Sequence, residues 1–381
     1  MAPASLKQAK KSKTLTLLLL AAVMKKKLLL LQEEQLNNER QLGKRREAVA
    51  KTRHYNHFRR FCQDIASSNN AAQKHFFVSN SVVDSIVGVL DRQSTSENSK
   101  IGPLEQVIMF LEFVTGGESY CRMSRRLGVS KGSISRIIPF VANTINDNFK
   151  NIRLPGSPEE WRQVEDTFAR KGLIRSLGAL DGKHIRIKAP GLSGSLFYNY
   201  KSFFSFVLLI LVDGNGKILY MDIGTPGSTN DATIFNQSSL KKILENEENL
   251  PKPCYLDSQT AMSSFIVGDG IFPLSFHLMK PYERSGLSPE EQVFNKILSN
   301  CRVRVEHVFG NLATKFRVLH KPLECKYSTA VKLVSSLCRI HNMILRPEKQ
   351  ANPMNVTESD ILPYSNAKEQ REYLKSYLNS N

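Results

Sequence analysis

Asp181, Asp231, Asp269 and Glu306 stand apart from the rest of the 35 acidic residues by their local setting. Asp181 precedes Gly182 in a stretch that reads as a strand. Asp231 follows Gly227-Ser228-Thr229-Asn230 at the expected start of a helix. Asp269 ends a short apolar run between Gly268 and Gly270. Glu306 falls in the helical stretch Arg302 to Lys315, with Arg302, Arg304 and His307 nearby. The separations are 50, 38 and 37 residues. Carboxylates that converge from such distances would suit metal-dependent phosphodiester chemistry. Hard divalent cations such as Mg²⁺ prefer oxygen ligands, and two ions can activate water and stabilise a leaving oxygen. Glycines beside or near three of the acids let the backbone come close to a ligand. The plainer alternative makes Asp231 an N-cap and Glu306 a surface residue of its helix. His307 reads as helix surface, with ligand orientation or DNA contact as the alternative.

The elements that must position these acids read as α/β. Leu177–Leu180 leads through Asp181-Gly182 into the alternating His184-Ile185-Arg186-Ile187-Lys188. Phe203 to Val212 is an apolar run suited to a buried strand. Asp213-Gly214-Asn215-Gly216 is a turn signal, and Lys217 to Ile223 follows, so an antiparallel hairpin is expected. Asp213 and Asp222 read as turn and strand-edge residues. Asp231 to Leu244 is expected as a helix, Phe265 to Val267 as a short strand, Glu290 to Leu319 as one or two helices, and Thr329 to Leu345 as another. A mixed sheet flanked by helices accommodates this order. Upstream, Leu104, Val107, Ile108, Leu111 and Val114 keep helical spacing. Tyr120 to Leu127, a break at Gly128-Val129-Ser130, and Lys131 to Phe140 have the shape of a helix-turn-helix. Arg122, Arg125, Arg126, Lys131 and Arg136 lie in those helices and suit DNA contact, although a helical hairpin with charged outer faces fits equally well.

The chain has 381 residues and a formal net charge of +18, from 53 Lys+Arg against 35 Asp+Glu. With 41% hydrophobic residues, wholesale disorder is excluded. Residues 1–60 hold 15 Lys+Arg and 4 Glu, so a basic arm carries +11 and the remainder +7. Nucleic acid or an anionic membrane is the partner class that such a charge attracts. Lys44-Arg45-Arg46 suits nuclear import or phosphate contact. Leu15 to Met24 follows four lysines, as in a signal peptide, but Lys25–Lys27 come at once and no small-residue cleavage site appears. Ten residues are also too few to span a bilayer, which takes about 20. A leucine-rich helix docked on the body or on a partner is expected, with a membrane-surface anchor as a further alternative and no stable membrane insertion. Gln93 to Lys100 reads as a linker. Six scattered cysteines (Cys62, Cys121, Cys254, Cys301, Cys325, Cys338) imply free thiols in a reducing compartment.

Four ordered segments resemble the PIF/Harbinger transposases and the harbinger transposase-derived nucleases of the DDE superfamily. GALDGKHIRIKAP resembles the family's first-acid motif. MDIGTPGSTNDATIF resembles its Pro-Gly-Ser segment with an Asp three residues on. FIVGDGIFPL, with the later MKPY, resembles its Gly-Asp strand end. RVRVEHVFGNLATKFRVL resembles its Glu-bearing helix. Met109–Val141 resembles its helix-turn-helix, and the likeness runs from about Leu104 to Leu345. It implies an RNase H-like fold and cleavage of DNA assisted by Mg²⁺ or Mn²⁺, in the nucleus, with the cytoplasm as an additional location. The implied metal ligands are Asp181, Asp231, Asp269 and Glu306. Asp181, Asp269 and Glu306 would form the catalytic core, with Asp231 an accessory ligand or the alternative second member. Lys201, Arg302, Arg304, Lys315 and Arg317 would follow the DNA backbone. His341-Asn342 resembles a late structural segment.

Lys183 stands where the family usually has Thr, Tyr200-Lys201 where Arg-Lys is usual, and Gly172-Leu173-Ile174 where Gly-Phe-Pro is usual. Lys183 would lower carboxylate pKa values or bind a phosphate. The expected regions are a basic leucine-rich arm at 1–60, a helical, helix-turn-helix-like DNA-contact region at 61–150, a DDE nuclease domain at 172–345 and a polar tail at 346–381. The rival to a nuclease is a domesticated, weak or inactive DNA-binding scaffold acting with a Myb/SANT-like companion, a partner that the resemblance also implies.

Overall fold

A computed structural model describes residues 4–93, 101–256, 261–283, 285–345, 357–359 and 364–380. Beyond Gln93, the expected linker lies outside these residues, as does much of the expected tail. The amino-terminal part is helical: α1 (Ala4–Ser67), α2 (Ala71–Phe76), α3 (Asn80–Gln93), α4 (Pro103–Gly116), α5 (Tyr120–Leu127), α6 (Lys131–Asn148) and α7 (Pro158–Ala169). Then follow β1 (Ser176–Arg186), β2 (Ser205–Val212), β3 (Ile218–Pro226), α8 (Asp231–Gln237), α9 (Ser239–Asn246), β4 (Cys254–Tyr255), β5 (Ala261–Met262), β6 (Phe265–Val267) and β7 (Leu278–Met279). The chain closes with α10 (Pro289–Lys315), a 3₁₀ turn at Arg317–His320, α11 (Tyr327–Ile344) and α12 (Ala367–Ser380).

Two compact units divide the chain. One comprises Met1–Phe61 with Cys121–Lys131, the other Cys62–Tyr120 with Gly132–Asn381. In the first, the break after α5 falls at Gly128–Ser130, as expected. Gly128 has φ +68°, and a β-carbon there would run into the backbone of α1 at Lys51 and Tyr55. Only glycine allows both that conformation and that approach. Arg122, Arg125, Arg126 and Lys131 are exposed, as are Lys44, Arg45 and Arg46 on α1. The leucine-rich segment is helical, and Leu28, Leu29 and Leu30 are exposed at 58%, 53% and 57%. No helix among the described residues is long and apolar enough to cross a membrane.

In the second unit, a five-stranded sheet has the order β3-β2-β1-β6-β7. β1 pairs antiparallel with β2, and β2 with β3. β6 runs parallel to β1, and β7 parallel to β6. This is the expected RNase H-like mixed sheet. All eight residues of β2 are buried, which explains why its sequence is a continuous apolar run rather than an alternating one. Helices α7, α8, α10 and α11 pack on the sheet, and Trp161, Phe206, Phe265 and Phe294 are fully enclosed.

Several expectations need correction. α6 passes through Pro139 to Asn148 instead of ending at Phe140. Its buried stripe of Ile134, Ile138, Val141 and Ile145 outweighs the hydrogen bond that proline removes. The single helix expected from Asp231 to Leu244 is two. Ser238 leaves helical geometry, and its hydroxyl accepts the Lys241 amide to cap the second. Within the expected tail, α12 is ordered, packs on α10 and buries Gln370 and Leu374. The six cysteines are free.

Candidate active site

Register alone brings the first two acids together. In the parallel pair β1–β6, Ala179 lies opposite Val267. Two residues further along each strand stand Asp181 and Asp269, so neighbouring strands deliver both side chains to one edge. Glu306 comes from α10, which packs across β1. Asp231 opens α8 but does not cap it, because the Asn230 side chain accepts the Thr233 amide at 2.8 Å. Its carboxylate instead lies over the bare α-carbon of Gly182, where a β-carbon would overlap it. The Asp-Gly pair is thereby explained: the first residue supplies a carboxylate and the second leaves room for another.

All four acids line one cleft of about 1110 Å³, together with Lys183, His184, Arg186, Tyr200, Lys201 and Arg302. Burial pushes the Asp181 carboxyl up to about 6, aided by the neighbouring charges of Asp269 and Asp231 and opposed by the Gly182 amide and Arg302. Asp231 is likewise raised to about 6, first by burial and then by Asp269, with Lys201 opposing. Carboxylates crowded out of water in this way favour the arrival of a cation. The cation that lowers Asp181 is Arg302 rather than the expected Lys183. Together with burial and Lys201, Lys183 acts on His184, whose imidazole is held below its ordinary value.

Arg302 was expected to follow DNA. Its guanidinium instead donates to Glu306 at 2.7 Å and approaches Asp181 at 3.9 Å. Among the described residues, no three His, Cys, Asp or Glu side chains already converge on one point as an ion's cage. The donor set nonetheless suits a hard divalent cation, since it is all oxygen, open to the cleft and cradled over Gly182. Arg304, Lys315 and Arg317 do not line the cleft. His307 is exposed on α10. Asn342 is structural: its amide donates to the Ile218 and Asn151 carbonyls and accepts the Ile218 amide.

Residue types singled out from the sequence miss one feature of the cleft. Tyr200 and Phe203 flank the acids, and the Arg186 guanidinium stacks 4.2 Å above Phe203. The aromatic run YNYKSFF was the visible signal, but nothing in it says which way its loop folds.

The comparisons agree with this architecture. Residues 180–342, which carry all four acids, match the family model described as DDE superfamily endonuclease. That segment carries the DDE superfamily endonuclease match, and the chain is similar to nuclease-named relatives. HARBI1 of Rattus norvegicus and HARBI1 of Homo sapiens, both with nuclease in their names, are each 26% identical to it over 265 residues, covering 68% of this chain and 72% of theirs. An ALP1-like protein of Arabidopsis thaliana is 25% identical over 266 residues, 68% of this chain and 64% of its own. No solved structure matches at a significant level. Endonucleases of this superfamily generally use divalent metal cations.

Proposed function

We propose that the protein is a metal-dependent DNA endonuclease in which Asp181, Asp269 and Glu306 form the catalytic core and Asp231 is an accessory ligand. The observation that carries this reading is the meeting of four acids from β1, α8, the end of β6 and α10 in one cleft, with two of them raised to about 6. When bound there, Mg²⁺ or Mn²⁺ would supply a polarised phosphate and a hydroxide nucleophile at neutral pH. The chain's own residues do the rest. Lys183 and Lys201 hold the phosphate backbone against the acids. Arg302 yields Glu306 to the incoming charge. His184 stays neutral beside the Ser205 hydroxyl at 3.0 Å, so it adds no competing charge. The exposed arginines of α5, with Lys131 and Arg136, contact DNA outside the cleft.

Supercoiled plasmid tests the reading. Nicking should require Mg²⁺ or Mn²⁺, stop with chelator, and fall by at least about 10²-fold in Glu306→Gln, the scale set by loss of one charge-stabilising group. Nicking that survives this change would remove Glu306 from the site. Gly182→Ala should leave the melting temperature nearly unchanged yet cost about 10²-fold in nicking, because its methyl group displaces the Asp231 carboxylate, and displacement on the scale of 1 Å can cost that much. Full activity in this variant would show that Asp231 is dispensable.

The Arg302–Glu306 ion pair favours a second reading, in which the protein binds DNA as a scaffold without turnover. DNA binding with no nicking under any metal would establish it. Under either reading we place the protein in the nucleus, on the strength of exposed Lys44-Arg45-Arg46, working with a Myb/SANT-like DNA-binding partner.

A further inference from the structure

We propose that Tyr200 is a stacking platform for an unpaired base, so that the preferred DNA is distorted or single-stranded beside the acids rather than continuous duplex. The inference deepens the nuclease reading and rests on it. Tyr200 and Lys201 form the tip of a tight loop that leads into β2. The Asn199 side chain accepts the amides of Lys201 at 2.9 Å and Phe203 at 3.3 Å, and its Nδ2 donates to the Ser205 hydroxyl at 2.8 Å. The Phe203 carbonyl accepts the Asn199 amide at 3.0 Å, and Ser205 donates to the Phe197 carbonyl at 2.8 Å. The loop is therefore pinned from within.

On this pinned base, Tyr200 is 80% exposed. An open aromatic face beside cations is the arrangement on which nucleic-acid bases stack. Its surroundings select the ligand's chemistry. Lys201 Nζ lies 5.2 Å from the Tyr200 ring centre, and Arg186 covers Phe203. His184 meets Tyr200 edge-on at 5.6 Å between ring centres. Cations interleaved with an open ring match a phosphate followed by a base. In intact duplex both faces of every base are covered by neighbours, so only an unstacked base can use the ring. Because Tyr200 lines the same cleft as Asp181 and Asp231, the phosphodiester offered to the acids is the one next to that base.

Fluorescence anisotropy with the full chain, in chelator so that nothing is cut, separates this inference from the nuclease reading. The probes are a labelled duplex, the same duplex with a central mismatch, and its single strand. Tyr200→Ala should weaken mismatch and single-strand binding by about 5- to 100-fold, the range for losing one base–aromatic stack, and leave intact duplex unchanged. Tyr200→Phe should restore both. Equal weakening on all three probes, or none on any, overturns the inference even if plasmid nicking is intact. The selective pattern without nicking upholds the platform and sinks the nuclease. An unchanged melting temperature for Tyr200→Ala shows that the effect is on binding and not on folding.

Discussion

Asp181→Asn is expected to abolish plasmid nicking and, in the absence of metal, to make the protein harder to unfold. The Asp181 carboxyl is raised from 3.8 to about 6, chiefly by burial. The folded chain therefore holds this proton more tightly than the unfolded chain does. Stability falls as pH rises between those two values, and the full cost of the charge is present above about pH 6. The raised value corresponds to at most about 3 kcal/mol at pH 7. A neutral amide escapes most of that cost while keeping an oxygen to accept the Gly182 amide, now 3.0 Å from the carboxylate. Thermal melts in chelator should show Asp181→Asn above the parent by a few degrees at pH 8, with the gap shrinking at pH 5. Added Mn²⁺ should then stabilise the parent more than the variant. A variant that melts below the parent at pH 8 would mean that Asp181 is not an electrostatic burden.

The second large effect lies away from the cleft. Arg175→Met is expected to destabilise the second unit by about 3–5 kcal/mol, the usual cost of leaving a buried partner charge alone. Arg175 is 4% exposed and has φ +62°. It donates to Glu165 on α7 at 2.9 Å and to the carbonyls of Met262 at 3.1 Å and Lys252 at 2.8 Å. The Ser264 hydroxyl donates to the same Glu165 at 2.6 Å. One guanidinium thus ties α7 to the segment just before β6, the strand that ends at Asp269. Burial already pushes Glu165 up against the opposing effect of Arg175, so removing the arginine leaves a carboxylate that must take a proton or unfold its surroundings. Urea unfolding should shift to a clearly lower midpoint, and Glu165→Gln in the same chain should recover part of the loss. An unchanged midpoint would show that the clasp contributes nothing.

How much of this was legible depended on local signals. The β2 run, the Gly-rich turn and the short strand before Asp269 announce themselves, because buried strands need apolar residues and turns need glycine. Three of the four acids are marked by nearby glycines and Glu306 by its helix, and the parallel pairing then places Asp181 beside Asp269. Strands β4, β5 and β7 have two residues each, too few to show a period. Helix α7 carries a Ser157 cap and Pro158 in its first turn, signals that stand out less than the neighbouring strand runs. The stretch holding α12 reads as tail because it is polar; few side chains anchor it, and its support comes from α10. The pairing of Arg302 with Glu306 follows from their i,i+4 spacing, yet a basic residue near clustered acids invites assignment to a phosphate first. The stacking loop was hidden because residue type does not reveal where a loop tip lands.

The packing of α12 on α10 has a consequence for the order in which the protein is made. Tyr282 and Glu372 are joined by a 2.7 Å hydrogen bond, and Asn379 donates to the Glu290 carbonyl at 3.2 Å, near the start of the helix that carries Glu306. That helix leaves the ribosome well before residues 367–380 exist to brace it. During translation the helix that carries Glu306 is thus missing a support that only the later-made segment supplies.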